Sequence, residues 1–274
     1  MLKHIIASDL DGTLLNKKSE VSKTTETLMN QFIDQGHIFV TCTSRSFTGL
    51  PVTLENIHFR YSICNNGAAI YDHQLQNIVA SFQLATAHIR PILEIDLPFI
   101  KSVTFVHQGI VYSLPILLDI FRHYGFSEEK LSHTQQTRVL TEDILEKLDQ
   151  LEFIDKLHFN FYTNKERNEF LKRIPQSPYY NLAASSEENI EITATDASKG
   201  KALLHLAKLL ELENTPILSF GDNLNDLPLF EVATKKIALS NAVEALKDEA
   251  DYITSFPCDE DGEVLFLQDY FESI

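Results

Sequence analysis

Short apolar strands alternate with amphipathic helices at both ends of this chain, and the middle follows a different rule. Near the N-terminus a strand is predicted over 4–8 and a helix over 23–35. The helix's apolar positions Leu28, Met29, Phe32 and Ile33 share one face, and Gly36 stops it. Strands over 37–42 and 61–64 follow. Late in the chain the order returns: a helix over 199–212 with Leu203, Leu206, Ala207 and Leu210 on one face, then a strand over 216–220. A helix over 225–233, a strand over 235–240, a helix over 241–250 and a short strand over 251–254 come next. A helix over 261–271 closes the chain. Apolar strands alternating with helices predict an α/β core with a parallel sheet covered on both faces.

The middle reads as an α+β insert. It runs as a helix over 85–94, strands over 102–106 and 110–114, a helix over 116–124, and a short strand over 137–140. A helix over 141–151, a strand over 156–162, a helix over 164–173 and strands over 179–184 and 190–193 complete it. Gln108-Gly109 suits a tight hairpin turn. In KLHFNFYT, residues 156–163, Leu157, Phe159 and Phe161 alternate with polar or amphipathic neighbours, the pattern of a sheet with one buried face. The expected division is a core of 1–81 and 196–274 around an inserted domain of 82–195.

Composition limits the function. The chain has 274 residues, 44% of them hydrophobic, enough to bury a full core. No apolar run reaches the roughly 20 residues of a membrane span. The opening apolar stretch is too short for a secretory leader, so a cytoplasmic protein is expected. Cys42, Cys64 and Cys258 lack metal-ligand spacing and read as reduced thiols. A net charge of −16 disfavours nucleic acid and anionic membrane as partners. It also repels phosphorylated metabolites, so a phosphate site here needs a local positive field from a metal, a lysine and backbone N–H groups. Oligomeric state leaves no sign in the sequence.

Four stretches can build such a site. SDLDGTLLN, residues 8–16, follows the first strand directly, and the carboxyl ends of strands line the ligand crevice of an open α/β sheet. Asp9 can act as a nucleophile that forms an acyl phosphate, and Asp11 as a general acid on the leaving oxygen. Gly12 permits a sharp turn that Thr13 can pin. A bare Asp-x-Asp-Gly also suits a solvated turn or a calcium loop, but no further calcium ligands follow at the needed spacing. FGDNLNDLPLF, residues 220–230, again follows a strand. Asp222 joined to Asp9 would make a site for a hard cation such as Mg²⁺, Asn225 has an amide donor for phosphate, and a helix start adds N–H groups. Thr43 in FVTCTSRS can hold a phosphoryl oxygen, though alone it reads better as a cap. Lys199 in DASKGK sits at a helix start, where a lysine is disfavoured unless anions lie opposite.

In this order the motifs resemble those of the haloacid dehalogenase superfamily, most closely its Cof-type phosphatases with a type IIB cap, and the likeness spans essentially the whole chain. The segment ICNNGAAIYD, residues 63–72, resembles that branch's Asn-Gly-Ala segment and brings Asn66 near the site. The segment 237–254, IALSNAVEALKDEADYIT, resembles its late signature. The resemblance implies a Rossmann-like core, a cap that selects substrate, and a Mg²⁺-dependent phosphatase working through an aspartyl phosphate. It implies that Asp9, the Asp11 carbonyl and Asp222 hold the metal. Leu10 N–H, Thr43, Ser44 N–H, Arg45, Asn66, Lys199 and Asn225 would bind substrate or phosphate, and Asp226 would orient Lys199 or a metal-bound water. Two positions depart from the branch: Ser44 stands where Gly is usual between Thr and Arg, and Ser240 where Gly is usual before Asn-Ala.

A small phosphate ester is the expected partner, with sugar phosphates the leading class by analogy and pyridoxal or flavin phosphates as others. His107, Tyr112, His158, Asn160 and Tyr162 are polar or aromatic candidates for contacts in the cap. A phosphomutase would use the same aspartate and return the phosphoryl group to a bound sugar. A phospho-accepting signalling module also clusters aspartates around Mg²⁺, but Asp11 beside the nucleophile favours turnover over storage.

Overall fold

The computed structural model describes residues 3–95, 100–123, 125 and 128–273. Tyr124, at the end of the expected helix 116–124, lies outside them, as do Met1, Leu2 and Ile274 of the expected core. The chain begins β1 (Ile5–Ser8), α1 (Lys23–Asp34), β2 (Ile38–Cys42), β3 (Tyr61–Cys64), β4 (Ala69–Asp72) and β5 (Asn77–Ser81). It continues through β6 (Leu84–Ala85), α2 (Thr86–Leu93), β7 (Ile100–His107), β8 (Ile110–Ser113), α3 (Ile116–His123), α4 (Glu128–Gln136) and β9 (Arg138–Leu140). Then follow α5 (Ile144–Asp149), β10 (Phe153–Ile154), β11 (Lys156–Phe161), α6 (Asn164–Leu171), β12 (Tyr180–Ala183) and β13 (Asn189–Ala194). The last stretch is α7 (Lys199–Leu209), β14 (Ile217–Gly221), α8 (Leu227–Val232), β15 (Lys235–Ala238), α9 (Glu244–Lys247), β16 (Tyr252–Ile253) and α10 (Gly262–Glu272).

Two compact units result: Met1–Arg45, Leu50–Ala80 and Ser198–Ile274 form one, and Ser46–Gly49 with Ser81–Ala197 the other. In the first, eight strands run in the order β16-β15-β14-β1-β2-β3-β4-β5. From β16 to β3 every pair is parallel. β3 and β4 are antiparallel, an edge beyond the strands expected for the core. Asn65, Asn66 and Gly67 take φ of 53°, 56° and 96° and turn the chain back on itself. All four residues of β1 are buried, as a strand flanked on both edges and covered on both faces must be. One face packs Ile6, Phe39 and Phe220 with Met29 and Phe32 of α1 and Val264, Leu267 and Phe271 of α10. Because β1 lies between β2 and β14 with Ser8 level with Thr41 and Phe220, the three strands end side by side. That alignment delivers Asp9, Thr43 and Asp222 to one rim of the sheet.

The second unit holds a six-stranded sheet, β12-β13-β11-β7-β8-β9, and the small pair β10-β6. Leu157, Phe159 and Phe161 of β11 are buried, the last two packed on Phe170 of α6. Gln108 and Gly109 take φ of 49° and 75°, positive at both central positions as a two-residue hairpin favours. Thr163 caps α6 in a reciprocal box with Glu166, so the helix starts at Asn164. Asp143 accepts from the N–H groups of Leu145 and Glu146 in the first turn of α5 and delays the expected helix 141–151 to Ile144. Among the described residues no helix is long and apolar enough to cross a membrane.

Candidate active site

Asp9 follows the last residue of β1, and its N–H bonds the Phe220 carbonyl, so the strand ladder carries one residue further. The next residues leave the sheet in a turn in which Gly12 has φ +84°. A Cβ built there would lie 2.3 Å from Asp222 Oδ2, so only glycine lets this turn approach that carboxylate. Asn241 fastens the turn from the other side. Its Nδ2 donates to the Gly12 carbonyl at 2.8 Å and its Oδ1 accepts from Cys258 N–H at 2.8 Å.

Lys199 is the first residue of α7, capped by Ser198, and is 1% exposed. Its Nζ donates to Asp9 Oδ1 and Asp226 Oδ1, both at 2.6 Å. Burial opposes the charge, but Asp226 and Asp9 outweigh it and hold the ammonium above the ordinary lysine range. The anions that a lysine at a helix N-terminus requires are therefore its direct partners. Asp226 Oδ2 accepts from the N–H groups of Asp222 and Asn223 at 3.0 and 3.1 Å, so both its oxygens are engaged.

Oxygens of Asp9, Asp222 and Asp226 lie within 4.8 Å of one another. Burial, reinforced by neighbouring carboxylates, raises Asp9 despite Lys199 and pushes Asp222 up to about 7. Crowded carboxylates that resist ionisation together suit a hard divalent cation. Asp226 already accepts three hydrogen bonds, which leaves Asp9 and Asp222 as the candidate ligands, and Thr13 Oγ1 steadies Asp222 Oδ1 at 3.4 Å.

Thr43 is 1% exposed, and its Oγ1 accepts from Arg45 N–H at 3.1 Å. Asn66 docks beside it, its N–H donating to the Thr43 carbonyl at 3.0 Å. A Cβ on Gly67 would come within 2.2 Å of the Ser198 backbone, so the β3–β4 turn abuts the start of α7. Asn225 is half-buried in the short turn Leu224–Asp226 that precedes α8. Ser44 and Ser240 both have negative φ, so a side chain at either departure costs no backbone strain. Arg45, expected among the substrate- or phosphate-binding residues, forks its guanidinium onto Asp11, Nε to Oδ2 at 2.7 Å and Nη2 to Oδ1 at 2.6 Å. No motif signalled that pairing, nor the buried contact of Ser8 with Glu263 at 2.6 Å.

In the second unit His158 and Asn160 share one face of β11. His158 Nδ1 is 3.4 Å from Thr104 Oγ1, and burial holds its imidazole down to about 4, hence neutral. Asn160 Nδ2 donates to Ser102 Oγ at 3.0 Å. His107 Nδ1 meets the Phe153 carbonyl at 2.8 Å, Tyr112 stacks on Phe105, and Tyr162 is exposed.

A parallel sheet whose central strand ends in an aspartate braced by a buried lysine, with further carboxylates at the next strand end, defines an α/β protein with an acidic, lysine-braced candidate site at the strand ends. A family profile for haloacid dehalogenase-like hydrolases matches residues 6–267, and the chain belongs to that family. It is 30% identical over 269 residues to the phosphatase YwpJ of Bacillus subtilis, covering 91% of this chain and 94% of that one. It is 29% identical over 281 residues to 5-amino-6-(5-phospho-D-ribitylamino)uracil phosphatase YwtE of the same organism, covering 96% of each. A haloacid dehalogenase-like hydrolase from B. subtilis superposes with a TM-score of 0.81 at 25% identity, over 96% of this chain and 98% of that one. The subclass IIB sugar phosphatase BT4131 superposes at 0.80 and 19% identity, over 98% and 99%, a likeness of fold. The protein is a phosphatase of the haloacid dehalogenase type with a Cof-type sequence.

Proposed function

We infer that the protein hydrolyses small phosphorylated metabolites in a Mg²⁺-dependent reaction through an aspartyl phosphate on Asp9. The observation that carries this reading is the buried Lys199 ammonium bonded to both Asp9 and Asp226 beside Asp222. Asp9, the Asp11 carbonyl and Asp222 would hold Mg²⁺, which when bound neutralises phosphate charge. Asp9 attacks phosphorus, and the P–O bond to the alcohol breaks as Asp11 gives that oxygen a proton. Lys199, Thr43, Asn225 and the N–H groups of Leu10 and Ser44 hold the equatorial oxygens, where charge gathers. Asp11, now a base, takes a proton from the water that hydrolyses the acyl phosphate, and both groups return to their starting states. Arg45 steers the Asp11 carboxylate, and Asn66 supports the Thr43 loop. Selection of the leaving group is assigned to the unit built mainly from Ser81–Ala197. A sugar phosphate is the leading substrate class; a sugar phosphatase shares the fold, and YwtE acts on a phosphorylated ribityl compound.

Release of inorganic phosphate from a panel of phosphorylated metabolites tests this. Activity should need Mg²⁺, vanish on chelation and be inhibited by Ca²⁺, whose looser coordination misplaces the attack. Asp9→Asn should remove turnover and acid-trapped aspartyl phosphate while the fold persists. Retained turnover in that variant would exclude Asp9 as the nucleophile.

A further inference from the structure

Ser8 closes β1, Glu263 lies in the first turn of α10, and both are buried. Ser8 Oγ lies 2.6 Å from Glu263 Oε2 and 2.7 Å from the Asp9 carbonyl oxygen. A hydroxyl carries one proton, while a carbonyl and an ionised carboxylate only accept. With Glu263 ionised, one of these two short contacts would set lone pair against lone pair. The set closes when Glu263 holds a proton: Oε2–H donates to Ser8 Oγ, and Ser8 O–H donates to the Asp9 carbonyl. Glu263 Oε1 is buried with no hydrogen-bond partner, which a neutral acid tolerates better than a carboxylate. Burial pushes the Glu263 carboxyl up to about 8, with Ser8 acting in the opposite sense. The positive end of α10 also favours ionisation, weakly.

Other ionisable groups lie on the surrounding elements. Lys17 of the loop after β1 pairs with Asp259 at 2.7 Å. Asp261 accepts from Ser22 and, at 2.9 Å, from Thr25 at the start of α1. His4 of β1 packs on the rings of Tyr270 and Phe271, and Asp9 faces Lys199. Asp269 and Glu272 belong to the last turns of α10.

We propose that Glu263, kept as a neutral acid, is a positioning residue that pins the Asp9–Leu10 peptide through Ser8. That peptide is planar and trans, so its carbonyl and the following N–H point in opposite directions. Anchoring the Asp9 carbonyl on Ser8 fixes Leu10 N–H on the other edge, where it serves as the phosphoryl donor named above. The kinetic consequence rests on the function inferred above; the protonation of Glu263 does not.

Carboxyl-carbon NMR of glutamate-labelled protein reads the proton directly. One resonance should titrate near pH 8 and be missing from Glu263→Gln. If every glutamate titrates below about pH 6, the proposal is wrong. In kinetics, Gln still offers Ser8 a neutral donor, so Glu263→Gln should keep kcat within about two-fold at neutral pH and lose the wild-type decline at alkaline pH. Glu263→Leu and Ser8→Ala should lower kcat on the order of ten-fold with little change in KM, because a misaimed donor weakens transition-state binding. Gln as damaging as Leu, or an alkaline decline that survives in Gln, would also overturn it. If Glu263→Leu does not fold, Ser8→Ala, which removes one hydroxyl, carries the comparison. Failure of every form to hydrolyse any ester would defeat the phosphatase function, and the NMR titration would still decide the state of Glu263.

Discussion

Lys199 is buried between two carboxylates, and its charge is kept because each partner would otherwise be an unpaired buried anion. Lys199→Met should therefore cost roughly 3–5 kcal/mol of stability, read in a urea melt, since breaking a buried pair strands what remains. Turnover should fall on the order of 10²-fold or more, as when a fixed donor to the transition state is lost. Glu263 has the opposite logic, a buried acid that keeps its proton. Its folded value of about 8 lies above the ordinary 4.5. Between those values the folded chain binds a proton that the unfolded chain has released. Its contribution is thus most favourable below the unfolded value, declines as pH rises, and levels off above the folded one. Against Glu263→Gln, the wild type should lose roughly 3 kcal/mol more stability between pH 5 and pH 8, measured by denaturant titration at each pH.

Helices and turns place these groups by close backbone approach. α7 brings Lys199 to Asp9 only if its first residues can touch the β3–β4 turn, and Gly67 is where they meet. Gly67→Ala sets a Cβ against main chain, which cannot swing aside as a side-chain tip can, and strains a φ of +96°. It should cost about 2 kcal/mol or more in a thermal or urea melt and lower kcat by displacing Lys199. α8 begins only after the turn Leu224–Asp226, because Asp226 bends back to accept the two N–H groups before it. That bend lets one residue brace both the loop and the lysine.

At the scale of the whole molecule, a net charge of −16 surrounds a site that binds an anion. Long-range repulsion slows the encounter, and under the proposed mechanism the local field of Lys199, a bound Mg²⁺ and the N–H groups would reverse it. KM for a phosphate ester should therefore fall several-fold as salt is raised through the range where screening shortens to about 10 Å, with kcat little changed. Initial rates across a sodium chloride series would measure it; a KM that rises with salt would show that local attraction dominates the approach.

The sequence by itself determined the strand–helix alternation and the motifs at the strand ends, because these depend on apolar spacing and turn chemistry within a few neighbouring residues. Asp9 after β1, Lys199 opening α7 and Asp222 after β14 were all legible in this way. The antiparallel pairing of β4 with β3 was not, since it turns on left-handed backbone at Asn65 and Asn66, which asparagine permits without requiring. α4 was missed because EEKLSHTQQ carries little apolar periodicity to mark a helix. Only the tertiary structure decided that Arg45 takes Asp11 and that Ser8 meets Glu263. Such partners are chosen by the packing of the whole sheet and its helices, which brings together residues 34 and 255 positions apart.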